Sequence, residues 1–183
     1  MKERVRKRIL DKTIVENRTK KINLITISAI FTGFIIITTA YILHIPVPAT
    51  GGYIHIGDGL IYLAASILPL PYAIATAAIG GAIADLITAP IWVLPTIFIK
   101  SKITIAFSSK QRKIISFRNI CAIVVAFVIS TIGYYFANVF IFGAEVAFMS
   151  SLVGNVVQSI GSAIVFVVCG SALDKINFKI KFL

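Results

Sequence analysis

Positive charge is missing from two long stretches of this sequence: residues 22–99 and 119–174 contain no lysine or arginine. Only 14% of all residues are charged, against about 25% in a soluble globular domain. The apolar share is 58% and the mean hydropathy is +0.95. A soluble chain could not hide so much apolar surface from water, so the composition excludes a soluble domain and predicts an integral membrane protein.

The lysines and arginines that are present fall into three short segments. Of the 18 in the chain, nine lie in residues 1–21, six in residues 100–118 and three after residue 174. Basic residues gathered in short segments beside apolar runs are typical of the cytoplasmic side of a membrane protein. We therefore predict a basic cytoplasmic segment (1–21), a membrane domain (22–174) with a cytoplasmic loop at about 100–118, and a basic cytoplasmic tail (175–183). This pattern favours anionic lipid headgroups over nucleic acid as the partner of the positive charge.

Residues that carry chemistry are also scarce. The two cysteines, Cys121 and Cys169, both lie in apolar runs, which argues against a disulfide framework. The two histidines and the scattered acids lack the spacing of a three- or four-ligand metal site, so we expect neither a metal nor a cofactor. No phosphate-binding G-x-x-x-x-G-K-[ST] loop, G-x-S-x-G elbow or H-E-x-x-H pair occurs. These absences argue against ATP hydrolysis by the chain and against an enzyme.

The apolar runs and the prolines predict an all-α bundle of six short transmembrane helices with both termini in the cytoplasm. The 44–57 segment contains Pro46, Pro48, Gly51 and Gly52, which forbid a continuous helix there. Between residue 44 outside and residue 100 inside, the number of crossings must be odd, and prolines divide the region into three. The predicted helices are 22–43, 58–69, 72–88, 91–100, 119–142 and 147–173, with an outside turn at 142–145.

Small residues indicate where helices approach each other closely. Ala29 and Gly33 form a small-xxx-small pair on the first helix, a pattern that allows close contact between membrane helices. Residues 75–84 are small throughout, which predicts a helix packed tightly within the bundle.

Three acids remain outside the basic segments and their borders: Asp58, Asp85 and Glu145. An ionisable group at membrane depth is a functional-site hypothesis by default. All three lie near predicted outer helix ends, however, where they could simply be hydrated, and Asp58 could also be the N-cap of its helix. His55 lies three residues before Asp58, in the predicted outer loop.

Other polar and aromatic residues concentrate towards the same outer half. Asn155, Gln158 and Ser162 share one helix face, where they could orient a bound polar molecule or join two helices. Trp92 could stack on a planar ligand or anchor the chain at the membrane interface, and Tyr134 allows the same interfacial interpretation. Together these residues predict an outward-facing cup with a few placed polar groups, as small-ligand sites have.

Three motifs in order carry a resemblance to a known family. They are His-x-Gly-Asp at 55–58, Gly-Gly-x-x-Ala-Asp at 80–85 and Asn-x-x-Gln at 155–158, with Trp92, Pro95-Thr96 and Ile99-Lys100 between the last two. From about residue 24 to 174 the sequence resembles the substrate-binding S components of energy-coupling factor (ECF) vitamin transporters. The branch it resembles is the riboflavin-type one that also holds predicted hydroxymethylpyrimidine and pyridoxine importers.

The resemblance implies a function and its partners. Such proteins bind a vitamin or precursor from outside the bacterial cell membrane, and dock on a membrane scaffold subunit that couples to two cytoplasmic ATPase subunits. Ala29 and Gly33 match the docking feature as Ala-x-x-x-Gly. By position, the expected ligand contacts are His55, Trp92, Thr96, Asn155 and Gln158, with Asp58, Asp85, Tyr134 and Glu145 as second choices. A small pyridine or pyrimidine is the expected ligand, while riboflavin, pantothenate, and cobalamin or queuosine precursors stay open.

Rival classes of function stay open at this point. A membrane enzyme of lipid metabolism would need a clustered acidic or histidine motif on the cytoplasmic side. A ligand-free assembly subunit would have no polar cluster in its interior. A self-sufficient secondary transporter of 183 residues would require a dimer.

Overall fold

The fold is all-α, with 82% of the residues in helices. The computed structural model describes residues 2–42, 44–47 and 52–182, with side chains for 13–42, 44–47, 53–143 and 154–181. The helices are α1 (Lys2–Ala40), α2 (Asp58–Ile67), α3 (Leu70–Thr88), α4 (Val93–Ala106), α5 (Phe117–Phe142), α6 (Ala144–Lys175) and α7 (Phe178–Phe182). The strands are β1 (Ile45–Val47) and β2 (Gly52–Ile54). In order, α1 to α6 cover the six predicted helices, but α1 begins at Lys2 and not at residue 22, and the short α7 in the tail is additional.

Prolines divide the region between residues 58 and 100 as predicted. Leu68 is extended (φ −83°, ψ 148°), as the residue before a proline prefers, and α2 ends there. Pro71 lies in the first turn of α3, where its missing N–H costs nothing. Pro90 opens a 3-10 turn that leads into α4. The prediction of three helices here is confirmed, although α4 continues to Ala106 and not to residue 100.

Four helical segments among the described residues are long and apolar enough to cross a membrane: Thr13–Ala40, Leu70–Thr88, Phe117–Phe142 and Gly154–Lys175. The apolar helix α2 is shorter. Large apolar side chains cover the outside of the bundle, and Phe98 and Phe140 are 67% and 93% exposed. Such a surface suits lipid and not water, so the chain is a multi-pass membrane protein. Six crossings and the side on which the termini lie stay predictions.

The described residues of the 44–57 segment, 44–47 and 52–57, contain no helix, as predicted. The short strands β1 and β2 pair antiparallel, with Ile45 opposite Ile54 and Pro46 opposite Tyr53. This hairpin was not predicted, because three-residue strands are too short for a period-2 pattern to identify. It places Tyr53 and His55 beside the bundle. Residues 48–51, which also belong to the predicted loop, lie outside the described residues.

The small residues of α3 permit close packing on both sides, as predicted. A Cβ added at Gly80 would lie 2.9 Å from Cγ2 of Ile35 on α1. A Cβ added at Gly81 would lie 2.7 Å from Cγ2 of Thr96 on α4. The glycines therefore allow α3 to lie directly against both neighbours, and Thr96 comes to face the interior.

The small pair on α1 has a different environment. Ala29 is exposed, and a Cβ added at Gly33 would meet no described atom within 4 Å. The opposite face of α1 packs inward through Phe31 and Ile35. Ala29 and Gly33 therefore form an open face of the bundle and not a contact within the part of the chain described.

Polar side chains fasten the tail to the bundle. The Lys179 ammonium donates to the carbonyl oxygens of Ser66 (3.0 Å), Ser109 (2.6 Å) and Gln111 (2.6 Å). Burial of the ammonium lowers the pKa of Lys179. Asp174 accepts hydrogen bonds from two backbone N–H groups in the α4–α5 connection, at 2.8 and 2.9 Å. These bonds hold the tail against the C-terminal end of α2. The N-terminal end of the same helix carries Asp58, a residue of the functional site.

Candidate functional site

The interior of the bundle contains an ion pair between the first residue of α2 and the middle of α4. The Lys100 ammonium lies 2.6 Å from Oδ1 and 2.8 Å from Oδ2 of Asp58. Asp58 is 1% exposed and Lys100 is 2% exposed. Pairing strongly favours charges removed from solvent to this degree, because each alone would cost several kcal/mol.

Two interpretations of Asp58 from the sequence are wrong. The first was that an acid at this helix end is hydrated, but the carboxylate is almost fully buried. The second was that Asp58 caps its helix; the N-cap residue is Gly57, and no side chain caps α2. Asp58 is the first helical residue, and its carboxylate turns towards Lys100 because the ion pair is much stronger than a cap.

The assignment of Lys100 to the cytoplasmic basic segment is also wrong. Because α4 runs to Ala106, position 100 lies inside the helix and not at its end. Lys100 follows Thr96 by four residues, so the two side chains share a helix face, which is the buried one. This spacing, together with the need of Asp58 for a cation, was the signal in the sequence that could have identified Lys100.

The predicted polar face of α6 closes another side of the ion pair. The Gln158 side-chain amide donates to Oδ2 of Asp58 at 2.9 Å. Asn155 and Gln158 are each 7% exposed, and Ser162 is fully buried. The three residues therefore share a buried face, as the sequence predicts. Gln158 is brought to the acid, and Asn155 lies one turn away.

Tyr134 of α5 forms the wall beside Lys100. Its hydroxyl is hydrogen bonded to that of Thr96 at 3.0 Å. The Lys100 ammonium lies 5.2 Å from the centre of the Tyr134 ring, within the range of a cation–π contact. Trp92 packs edge-on against this ring, 5.8 Å between centres, and is only 6% exposed. Trp92 therefore packs against Tyr134 and not directly against the cavity, and its role as a ligand contact or as an interfacial anchor stays a prediction.

The β2 strand and the residues after it supply the last wall. The Tyr53 hydroxyl forms a short hydrogen bond with Oδ1 of Asp85, near the end of α3. The Tyr53 ring stacks on His44 at 4.1 Å between centres. Nδ1 of His55 accepts a hydrogen bond from the Gly57 N–H at 3.0 Å, so the neutral ring carries its proton on Nε2. Burial lowers the pKa of His55 to about 3, in agreement with a neutral ring.

These walls surround a small polar cavity. It is lined by Thr39, His55, Asp58, Ile61, Gly81, Asp85, Thr96, Lys100 and Tyr134. Its volume of about 10 Å³ is close to the minimum for one water molecule. The side chains therefore nearly touch across it, and a larger guest must move them apart.

The structure brings together most of the residues selected from the sequence. His55, Asp58, Asp85, Thr96 and Tyr134 line the cavity, and Gln158 reaches it through Asp58. Trp92 and Asn155 lie outside the lining. The Glu145 side chain lies outside the described residues. Lys100, Thr39, Ile61 and Gly81 were not selected from the sequence as site residues.

The fold and the cavity define a class of protein: a multi-pass helical membrane protein with a polar binding site among its helices. Residues 19–175 match the family model described as ECF-type riboflavin transporter, S component, and the chain belongs to this family. No curated protein matches the chain. The resemblance noted in the sequence is thus confirmed at the level of the S components. The protein is a substrate-binding subunit of a vitamin transporter, in a family of transporters and not of enzymes.

Proposed function

We propose that the protein binds a small water-soluble vitamin or vitamin precursor from outside the bacterial cell. It then delivers this molecule with a membrane scaffold subunit and two cytoplasmic ATPase subunits. In this proposal the chain crosses the plasma membrane six times and keeps both termini in the cytoplasm. The basic segments at 1–21 and 175–183 then face the anionic inner leaflet.

The observation that carries this proposal is the polar cavity itself. The Asp58–Lys100 ion pair with the partly satisfied carboxylate of Asp85 beside it is costly to bury in a membrane bundle. Apolar side chains of similar volume would stabilise the fold as well or better. Polar groups kept at such a cost favour a site for a ligand. A few converging polar groups in a concave site are the usual form of small-molecule recognition.

The composition of the cavity favours a ligand with one ring and several polar substituents, such as pyridoxine or hydroxymethylpyrimidine. Of the nine lining residues described, Ile61 is the single large aliphatic one. Tyr134 offers a ring face for a planar heterocycle. Thr96 and the His55 Nε2–H can bond to hydroxyl groups, and Gln158 can exchange its bond to Asp58 for one to the ligand.

Riboflavin is the second candidate, because the matching family model is described by that vitamin. Its three fused rings include an apolar dimethylbenzene edge, which would need a wide apolar wall. The lining described here is mostly polar, and this favours the smaller ligands.

The open face of α1 is the proposed docking site for the scaffold subunit. Ala29 and Gly33 leave a shallow surface against which a partner helix could lie closely. The exposed apolar side chains of Ile30 and Phe34 on the same helix would extend that contact.

A thermal-stability screen tests the proposed function. The chain would be purified alone in detergent and heated with pyridoxine, hydroxymethylpyrimidine, riboflavin, pantothenate and other vitamins or precursors. A ligand present at 100 times its dissociation constant stabilises the folded protein by about 2.7 kcal/mol. We expect a clear rise in Tm with one compound, or with one group of related compounds. Folded protein that responds to none of them would instead indicate a ligand-free assembly subunit.

A further inference from the structure

One carboxylate of the cavity is only half satisfied. Oδ1 of Asp85 accepts the Tyr53 hydroxyl, but Oδ2 is buried and has no hydrogen-bond partner among the described residues. Thr96 lies close enough to interact with Asp85, and its hydroxyl is also hydrogen bonded to that of Tyr134, where either hydroxyl can be the donor. Asp85 is 4% exposed and lines the cavity, so water outside the bundle does not compensate for the missing partner.

No positive charge in the described lining is left to pair with Asp85. Three lining residues carry groups that are ordinarily charged at neutral pH: Asp58, Asp85 and Lys100. Lys100 contacts both carboxylate oxygens of Asp58. His55 is neutral, because its Nδ1 accepts a backbone N–H. Asp58 and Lys100 therefore cancel, and the described lining has an excess of one carboxylate.

We propose that the ligand presents a cationic or N–H-donating group to Oδ2 of Asp85. This inference rests on the proposed function and specifies the chemical class of the ligand. A buried acceptor without a donor costs free energy, and a charge-assisted hydrogen bond from a ligand nitrogen removes that cost. Tyr53 holds the other oxygen and so fixes the direction in which the free oxygen can accept.

The arrangement also excludes a class of ligand. A carboxylate brought to this cavity would face a second negative charge, because Lys100 is already engaged by Asp58. Acidic vitamins such as pantothenate and nicotinate are therefore disfavoured. Amines and aminopyrimidines are favoured, since an amino group beside a ring nitrogen offers donors in the plane of a carboxylate.

Matched ligands with one changed substituent test the inference. On the pyridine ring these are pyridoxamine, pyridoxine and 4-pyridoxic acid, which differ in an amine, an alcohol and a carboxylate. On the pyrimidine ring they are 4-amino-5-hydroxymethyl-2-methylpyrimidine and its 4-hydroxy analogue. We expect the wild type to bind the amino compound of its preferred ring at least about tenfold more tightly than the others, and Asp85→Asn to reduce this ratio to near one. The ratio is the deciding quantity, because a purely structural change would weaken all ligands alike.

Two comparisons keep the outcome decisive. Glu16→Gln removes an exposed carboxylate of α1, 3.0 Å from Lys20, and should leave the ratio unchanged. Asp85→Asn should not lower the Tm of the ligand-free protein, because it removes an uncompensated buried charge.

If riboflavin is the ligand, Asp85→Asn should weaken its binding at least tenfold, because the variant loses the charge that accepts the ring N–H of riboflavin. A preferred acidic ligand, or an unchanged ratio in Asp85→Asn, overturns the inference while leaving the proposed function intact; binding of no vitamin at all overturns both.

Discussion

Replacing Lys100 by methionine should destabilise the protein by about 3–5 kcal/mol, the usual cost of removing one partner from a buried ion pair. Methionine keeps most of the apolar stem but leaves the Asp58 carboxylate without its cation. Asp58 must then stay charged and unpaired or take up a proton, and either state costs free energy in the bundle interior. For a chain of this size the Tm in detergent should fall by at least roughly 6 °C.

Two further variants separate loss of the pair from loss of a lysine. Lys102→Met changes an exposed lysine of the same helix and should leave the Tm nearly unchanged. Asp58→Asn combined with Lys100→Met should recover much of the stability, since the asparagine carbonyl can still accept from Gln158. Equal Tm values for Lys100→Met and Lys102→Met would show that Lys100 is solvated, as the charge pattern of the sequence first suggested.

Gly59→Ala should lower the free energy of unfolding by about 1–3 kcal/mol, the second largest effect among the stability changes considered. A Cβ at this position would lie 2.6 Å from the carbonyl oxygen of Ser162 and 2.7 Å from Cβ of Val165 on α6. Because the first of these atoms is backbone, α2 and α6 would have to move apart. Asp58 and Gln158 lie on these two helices, so the movement would also disturb the cavity.

The matched control is Gly33→Ala on α1, where the added methyl group meets no described atom within 4 Å. Alanine is the better helix former by about 1 kcal/mol, so this variant should be as stable as the wild type or slightly more stable. Thermal unfolding of both variants in the same detergent measures the difference. A Gly59→Ala protein as stable as Gly33→Ala would mean that α2 and α6 are not in close contact.

The sequence predicted the helices well because prolines and charge act locally. Pro69 and Pro90 follow the ends of α2 and α3, because proline cannot continue a helix beyond its first turn, and the basic segments separate the long apolar runs. The short hairpin was missed because its pairing depends on a few backbone hydrogen bonds and not on a periodic pattern. The tail helix α7 is five residues long, too short for any pattern to identify.

The site was predicted in part for a similar reason. Polar residues within an apolar sequence are conspicuous, and His55, Asp85 and Thr96 were selected on that ground or by resemblance. Lys100 was missed because it stands first in the basic segment 100–118, whereas its neighbours in space are Asp58 and Tyr134. Whether Lys100 lies in the basic segment or in the bundle interior depends on how far α4 extends, and helix ends are the least certain feature to derive from a sequence.

The closed cavity bears on how such a protein could exchange its ligand. Asp58 and Lys100 neutralise each other at contact distance, so the bundle presents no net charge from this pair to the lipid. A ligand that enters must displace side chains in a space of about 10 Å³. Asp58, Lys100 and Gln158 thus satisfy one another in its absence, which lowers the cost of the empty state, whereas Oδ2 of Asp85 is left without a partner among the described residues.

The most direct test of the account is the affinity of the vitamin found in the stability screen for two threonine variants of α4. Thr96→Val removes a hydroxyl from the cavity with little change of shape, and should weaken binding about tenfold. Thr104→Val removes a hydroxyl that is equally buried but bonds to the Ser101 carbonyl oxygen, away from the cavity, and should bind like the wild type. Equal affinity of all three proteins would contradict the assignment of this cavity as the binding site.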